Sequence, residues 1–128
     1  MLTAMKSLLA TTLAIVIYSS GCGALYAQTK TAKAYWITET LQVTDQAAFL
    51  NVIKKVPPIV KAHGGQYIVL GGRVVPGVGS APSRITMIVF ESLEAAQGWY
   101  NDPAAVAVRE EAQKYAKVRD YTVEGVAK

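Results

Sequence analysis

Ile85-Thr86-Met87-Ile88-Val89-Phe90 is apolar at both alternating positions, with Thr86 the one exception. A strand with one face in water alternates, so this run fits a central strand covered on both faces. Upstream, Pro76 to Pro82 reads as a hairpin loop and Gly71-Gly72 as a bulge or bend. Gln66 to Leu70 reads as a strand that Arg73-Val74-Val75 extends beyond the bend. Within it, Tyr67 and Val69 are expected on one face, and Ile68 and Leu70 on the other. Downstream, Ser92 caps a helix whose Leu93, Ala96, Trp99 and Tyr100 share a side. Asn101-Asp102-Pro103 breaks it, and Asp102 with Pro103 behind it opens another helix running to about Ala116. Asp120 to Glu124 reads as a closing strand.

The preceding half of the pattern starts at Ala34-Tyr35-Trp36-Ile37-Thr38-Glu39-Thr40-Leu41, rich in aromatic and β-branched residues and read as the first strand. Thr44 is expected to cap the next helix, with Asp45 in its first turn. Phe49, Val52, Ile53 and Val56 recur at helical spacing and predict a buried face. Pro57-Pro58 ends or kinks that helix, Ile59 to Ala62 continues as a new segment, and Gly64-Gly65 stops it. The order is β-α-β-β-α-β, an α+β ferredoxin-like antiparallel sheet with helices on one face. One helical layer leaves the other face of the apolar third strand uncovered. A homodimer that sets two such sheets face to face is the simplest cover.

The 128 residues give room for one domain with a single core. Met1 to Lys6 carries one basic side chain, Ser7 to Tyr18 is apolar and uncharged, and Leu25-Tyr26-Ala27 ends on a small residue. Residues 1–27 therefore read as a signal peptide cleaved after Ala27, which predicts a periplasmic or secreted protein. The apolar run is short for a membrane span. Ser19-Ser20-Gly21-Cys22 keeps a second expectation open: a lipoprotein anchored through Cys22, although a serine stands three residues before the cysteine. With cleavage after Ala27 the mature chain has no cysteine, which excludes disulfides, thiol nucleophiles and thiolate metal sites. Of the 13 basic residues only Lys6 is lost, leaving a net charge of +3. Lys54, Lys55, Lys61, Arg73, Arg84, Arg109 and Arg119 are scattered, so no nucleic-acid partner is expected.

Two segments resemble the domain of unknown function 1330 family. They are Val56-Pro57-Pro58-Ile59-Val60-Lys61-Ala62-His63-Gly64-Gly65-Gln66-Tyr67 and Phe90-Glu91-Ser92-Leu93-Glu94-Ala95-Ala96-Gln97-Gly98-Trp99-Tyr100-Asn101-Asp102-Pro103. The resemblance spans about residues 33–126 and implies a dimeric α+β barrel. The wider superfamily includes cofactor-independent monooxygenases, isomerases, haem-degrading enzymes and plain binding proteins, so it selects no chemistry. Many relatives have an arginine directly before the second glycine pair and a tyrosine shortly after the proline of the last helix. Here those positions hold Leu70 and Ala105, which implies a more apolar pocket.

His63 is the single histidine of the chain and sits at the hinge between helix and strand. It is the candidate for moving a proton, and equally a residue that ends a helix before Gly64-Gly65. Tyr35, Trp36, Tyr67, Trp99 and Tyr100 are candidate walls of a ligand site, with Arg73 and Arg84 as candidate cations beside them. Gly71-Gly72-Arg73 and Gly77-Val78-Gly79-Ser80 lack the spacing of a phosphate loop, and no nucleophile elbow is present. One histidine and no thiol make a protein-only metal site unexpected, and no cofactor is expected. The expected function is binding of a small apolar or aromatic molecule by an exported homodimer. The alternatives are a cofactor-independent monooxygenase or isomerase using His63, as the resemblance allows, and a haem protein with His63 as axial ligand.

Overall fold

The computed structural model describes residues 31–128. The expected leader, its cleavage site after Ala27, and Cys22 lie outside the described residues. The elements follow the expected order: β1 (Ala34–Val43), α1 (Gln46–Ile53), α2 (Val56–Ala62), β2 (Gln66–Leu70), β3 (Arg84–Phe90), α3 (Leu93–Asn101), α4 (Pro103–Ala112) and β4 (Ala116–Glu124). The strands form one sheet in the order β2-β3-β1-β4, with every neighbouring pair antiparallel. This is the α+β ferredoxin-like fold, with β3 and β1 at the centre of the sheet. No helix among the described residues is long and apolar enough to cross a membrane.

Short polar side chains set the helix starts. Asp45 Oδ1 accepts the amide of Ala48 at 3.0 Å, Ser92 Oγ that of Ala95 at 3.1 Å, and Asp102 Oδ1 that of Ala104 at 2.9 Å. The first helix is thus capped by Asp45, not Thr44, whose hydroxyl donates instead to the carbonyl of Tyr115. Pro57 and Pro58 occupy the first turn of α2, where their missing amides have no intrahelical partner to lose. The break between α1 and α2 falls just before them, at Lys54-Lys55.

Three expectations need correction. A register shift between Tyr67 and Val69 puts Ile68 into a bulge, so Tyr67 and Leu70 share the helix-facing side while Val69 pairs with Met87 on the other. β2 ends at Leu70, because Gly71 turns the chain at φ +65, and Arg73 to Val75 belong to the loop. The last helix ends at Ala112, and the segment from Ala116 pairs with Val43 as the start of β4. Good helix formers fill Glu110 to Lys117, but pairing along β1 outweighs that preference.

All four helices lie on one face of the sheet. The core has two clusters: Trp36, Val60, Ile88, Phe90, Ala96, Trp99 and Ala105 in one, and Phe49, Val52, Val108, Ala112 and Ala116 in the other. On the opposite face, Tyr35, Ile37, Ile85, Met87 and Val89 are only half-buried, and Tyr121 and Val123 are exposed.

Candidate functional site

A cavity of about 340 Å³ lies between the sheet and the helices, and residues of both core clusters line it. Trp36, Thr38 and Thr40 of β1, Thr86 and Ile88 of β3, Tyr67 and Leu70 of β2, and Val118 and Asp120 of β4 form its floor. Phe49, Ile53, Val56, Ile59, Trp99, Ala105, Val108 and Ala112 close it from the helix side. These walls are predominantly apolar, as in most small-molecule sites of this size. The exposed Leu50, Lys54 and Leu70 belong to the lining too, so the cavity opens toward solvent on their side.

The polar groups of the cavity concentrate near β4. Trp36, 3% exposed, donates its indole N–H to Thr38 Oγ1 at 2.9 Å. Thr38 stands opposite Asp120 in the β1–β4 register, with its hydroxyl on the cavity side beside the Asp120 carboxyl. Burial raises the Asp120 pKa above its ordinary value, while the Thr38 hydroxyl and the charge of Arg109 act the other way. Arg109 of α4 lies over three aromatic rings, 4.2 Å from the centroid of Tyr100, 5.6 Å from Trp99 and 5.9 Å from Trp36. Its Nη2 donates to the Tyr100 carbonyl. Burial pulls the guanidinium pKa below its usual value, and the group stays charged at physiological pH.

Among the described residues, three buried side-chain atoms have no hydrogen-bond partner: Trp99 Nε1, Arg109 Nη1 and Asp120 Oδ1. All three belong to residues that line this cavity. Buried polar groups in folded proteins are nearly always paired, and each orphan costs about 1–3 kcal/mol.

The sequence candidates divide into two sets. Trp36, Tyr67 and Arg84 line the cavity, and burial raises the Tyr67 pKa. Arg84 reaches across Gly71, whose lack of a side chain leaves room for the guanidinium. Tyr35, Arg73, Tyr100 and His63 are not among the lining residues. Tyr35 points to the opposite sheet face, where its ring packs on Gly125, and Arg73 is exposed in the loop. Tyr100 supports the site from behind, its ring 5.3 Å from Trp36 and beneath Arg109.

His63 ends α2 and donates from Nε2 to Asp102 Oδ2 at 2.8 Å. That hydrogen bond is the main cause holding Asp102 below the usual carboxylate range, followed by the backbone amide of Ala104. Asp102 caps α4 with its other oxygen, so the pair ties the end of α2 to the start of α4. A histidine held this way has a structural task, and the nitrogen that an axial haem ligand would use is engaged. Trp99, another of the aromatic candidates, lines the cavity as well, whereas Arg109 and Asp120 were absent from the candidate set drawn from sequence. Arg109 reads there as one of several scattered cations and Asp120 as the start of the closing strand, and no local motif distinguishes them.

The family described as DUF1330, a domain of unknown function, matches residues 33–126. The chain belongs to this family. No curated protein matches the sequence. Among solved structures, a protein of unknown function from Rhodopseudomonas palustris is 11% identical, with 81% of this chain and 88% of that one covered at a TM-score of 0.61. The cofactor-independent oxygenase SnoaB from Streptomyces nogalater is 9% identical, covers 77% of this chain and 96% of its own, and has a TM-score of 0.52. A hypothetical protein from Arabidopsis thaliana is 16% identical over 77% and 91%, with a TM-score of 0.53. At such identities these likenesses concern the fold alone. Leu70 and Ala105, the two positions at which the family resemblance implies an arginine and a tyrosine in many relatives, both line the cavity.

Proposed function

We propose that this DUF1330 protein binds a small, largely apolar or aromatic molecule in the cavity between sheet and helices. The observation that carries this reading is a mostly apolar, aromatic-walled space of about 340 Å³ between sheet and helices that opens toward solvent beside Leu50, Lys54 and Leu70. That volume lies in the usual range for small-molecule sites, about 300–1,000 Å³. Leu70 and Ala105 adapt the family pocket to a more apolar ligand.

The protein acts as a homodimer on this reading, joined through the apolar sheet face of Ile37, Ile85, Met87 and Val89. The exposure of Tyr121 and Val123 beside them supports that cover, since contiguous apolar patches on monomers are small. It also works outside the cytoplasm, as the charge and apolar run of residues 1–27 suggest. A cofactor-independent enzyme is the second reading, and the placement of side chains moves its proton acceptor from His63 to Asp120. Asp120 is the one carboxyl among the residues lining the cavity.

Native mass spectrometry of protein purified from its own host tests binding and assembly together. A dimer mass with an added small molecule is expected. A bare monomer under gentle conditions contradicts both.

A further inference from the structure

We infer that the ligand is a small organic acid whose apolar body lies in the cavity and whose carboxylate is held at the mouth by Arg84. The inference rests on the binding role proposed above and specifies the chemistry of the ligand's polar end. The lining holds three cations, Lys54, Arg84 and Arg109, and one carboxyl, Asp120. The charge of Arg109 acts on Asp120, so those two offset each other. Lys54 and Arg84 have no such counterpart, since among the described residues neither forms an ion pair.

Arg84 is the first residue of β3 and shares the cavity side of that strand with Thr86 and Ile88. Its guanidinium lies over Gly71, where a Cβ would stand 2.5 Å from Arg84 Cζ. Gly71 directly follows Leu70, which is 60% exposed at the mouth, and its amide donates to the Ile85 carbonyl at 2.9 Å. The guanidinium therefore leans toward β2 and the opening. Asp120 lies the other way: in the register it stands two strands and two residues from Arg84, roughly 12 Å between backbones. A half-buried guanidinium so placed offers a planar fork of N–H donors that matches a carboxylate. The exposed Lys54, on the helix side of the same opening, adds a second positive charge. A neutral ligand leaves both cations without a counter-charge, and an ammonium meets like charge. An acid satisfies them while its body reaches inward past Ile88 toward Trp36 and Trp99.

The probes are 2-naphthoate and 2-naphthol, which share a ring system and differ in charge at neutral pH, titrated into the purified protein by calorimetry. The expected result is that 2-naphthoate binds about tenfold or more tightly than 2-naphthol, the ratio expected for hydrogen bonds between charged partners. The ratio should fall as salt is added, because the charges meet at an open mouth. In Arg84→Gln it should drop to about twofold or less, and in Arg84→Lys to an intermediate value, since the charge stays and the planar fork is lost. Comparing the two probes within each variant separates the loss of charge from any change in the shape of the cavity. Arg73→Gln, in the exposed loop outside the lining, should keep the wild-type ratio. Affinities within about twofold for the two probes in the wild type, or a ratio that Arg84→Gln leaves unchanged, overturn carboxylate recognition by Arg84 and leave the cavity reading standing. Failure of both probes to bind overturns the cavity reading as well.

Discussion

Thr38→Val keeps the shape of a side chain on which two buried groups depend. The Thr38 oxygen accepts from Trp36 Nε1 at 2.9 Å, and its hydroxyl stands beside the Asp120 carboxyl across the strands. Valine leaves the indole N–H of a 97%-buried tryptophan without a partner, which costs about 1–3 kcal/mol. For a domain of this size each 1 kcal/mol corresponds to a Tm change of roughly 4–8 °C. The loss should also depend on pH. Without the Thr38 hydroxyl the folded-state pKa of Asp120, already raised by burial, rises further above its ordinary value near 3.8. A carboxyl with a raised folded pKa contributes stability that is present below the unfolded value and lost as pH rises through the folded one. The difference between wild type and Thr38→Val should therefore be smallest below about pH 3.8 and grow as pH rises through the folded pKa. Urea denaturation at fixed protein concentration over that range measures it. Equal stability of the two proteins at neutral pH would refute the role given to the Trp36–Thr38 hydrogen bond.

A Cβ added at Gly65 would stand 2.7 Å from Phe90 Cε1 and Val60 Cγ1 and 3.0 Å from Ile88 Cγ2, so Gly65→Ala should destabilise by about 1–3 kcal/mol in chemical denaturation. Asp102 is held below its ordinary pKa near 3.8, so it contributes stability above that value which is lost as pH falls through the folded one. His63→Ala removes the main cause, so its acid unfolding should begin at higher pH. The same variant should bind 2-naphthol within about twofold of wild type, because His63 does not line the cavity; a loss of binding would return His63 to the site. Ala105→Tyr places a ring where the cavity is and should weaken 2-naphthol by about tenfold or more, read by calorimetry alongside a retained circular dichroism spectrum.

Much of the fold was legible because its signals are local. The run Ile85–Phe90, apolar but for Thr86, the caps at Ser92 and Asp102, and the proline pair before Ile59 each act through near neighbours, and the structure keeps them all. What escaped depends on long-range pairing. The bulge at Ile68 appears only against β3, and it moves Leu70 onto the cavity side. The start of β4 appears only against β1, since its composition favours helix. The site divides in the same way. Trp36, Tyr67 and Arg84 were foreseen because aromatic and basic residues on strands mark plausible walls. Arg109 and Asp120 carry no local signal in sequence and reach the same cavity only when α4 packs over the sheet. His63 stands out in sequence as a lone titratable side chain at a helix end, whereas its link to Asp102, 39 positions away, has no local signature.

Intermolecular NOEs between 2-naphthol and methyl-labelled protein test the central claim most directly, because the two faces of the sheet carry different methyl groups. Contacts from the probe's ring protons to Ile53, Ile88 and Val118, which line the cavity, are the predicted result. Contacts confined to Met87, Val89 and Val123 on the opposite face would contradict it.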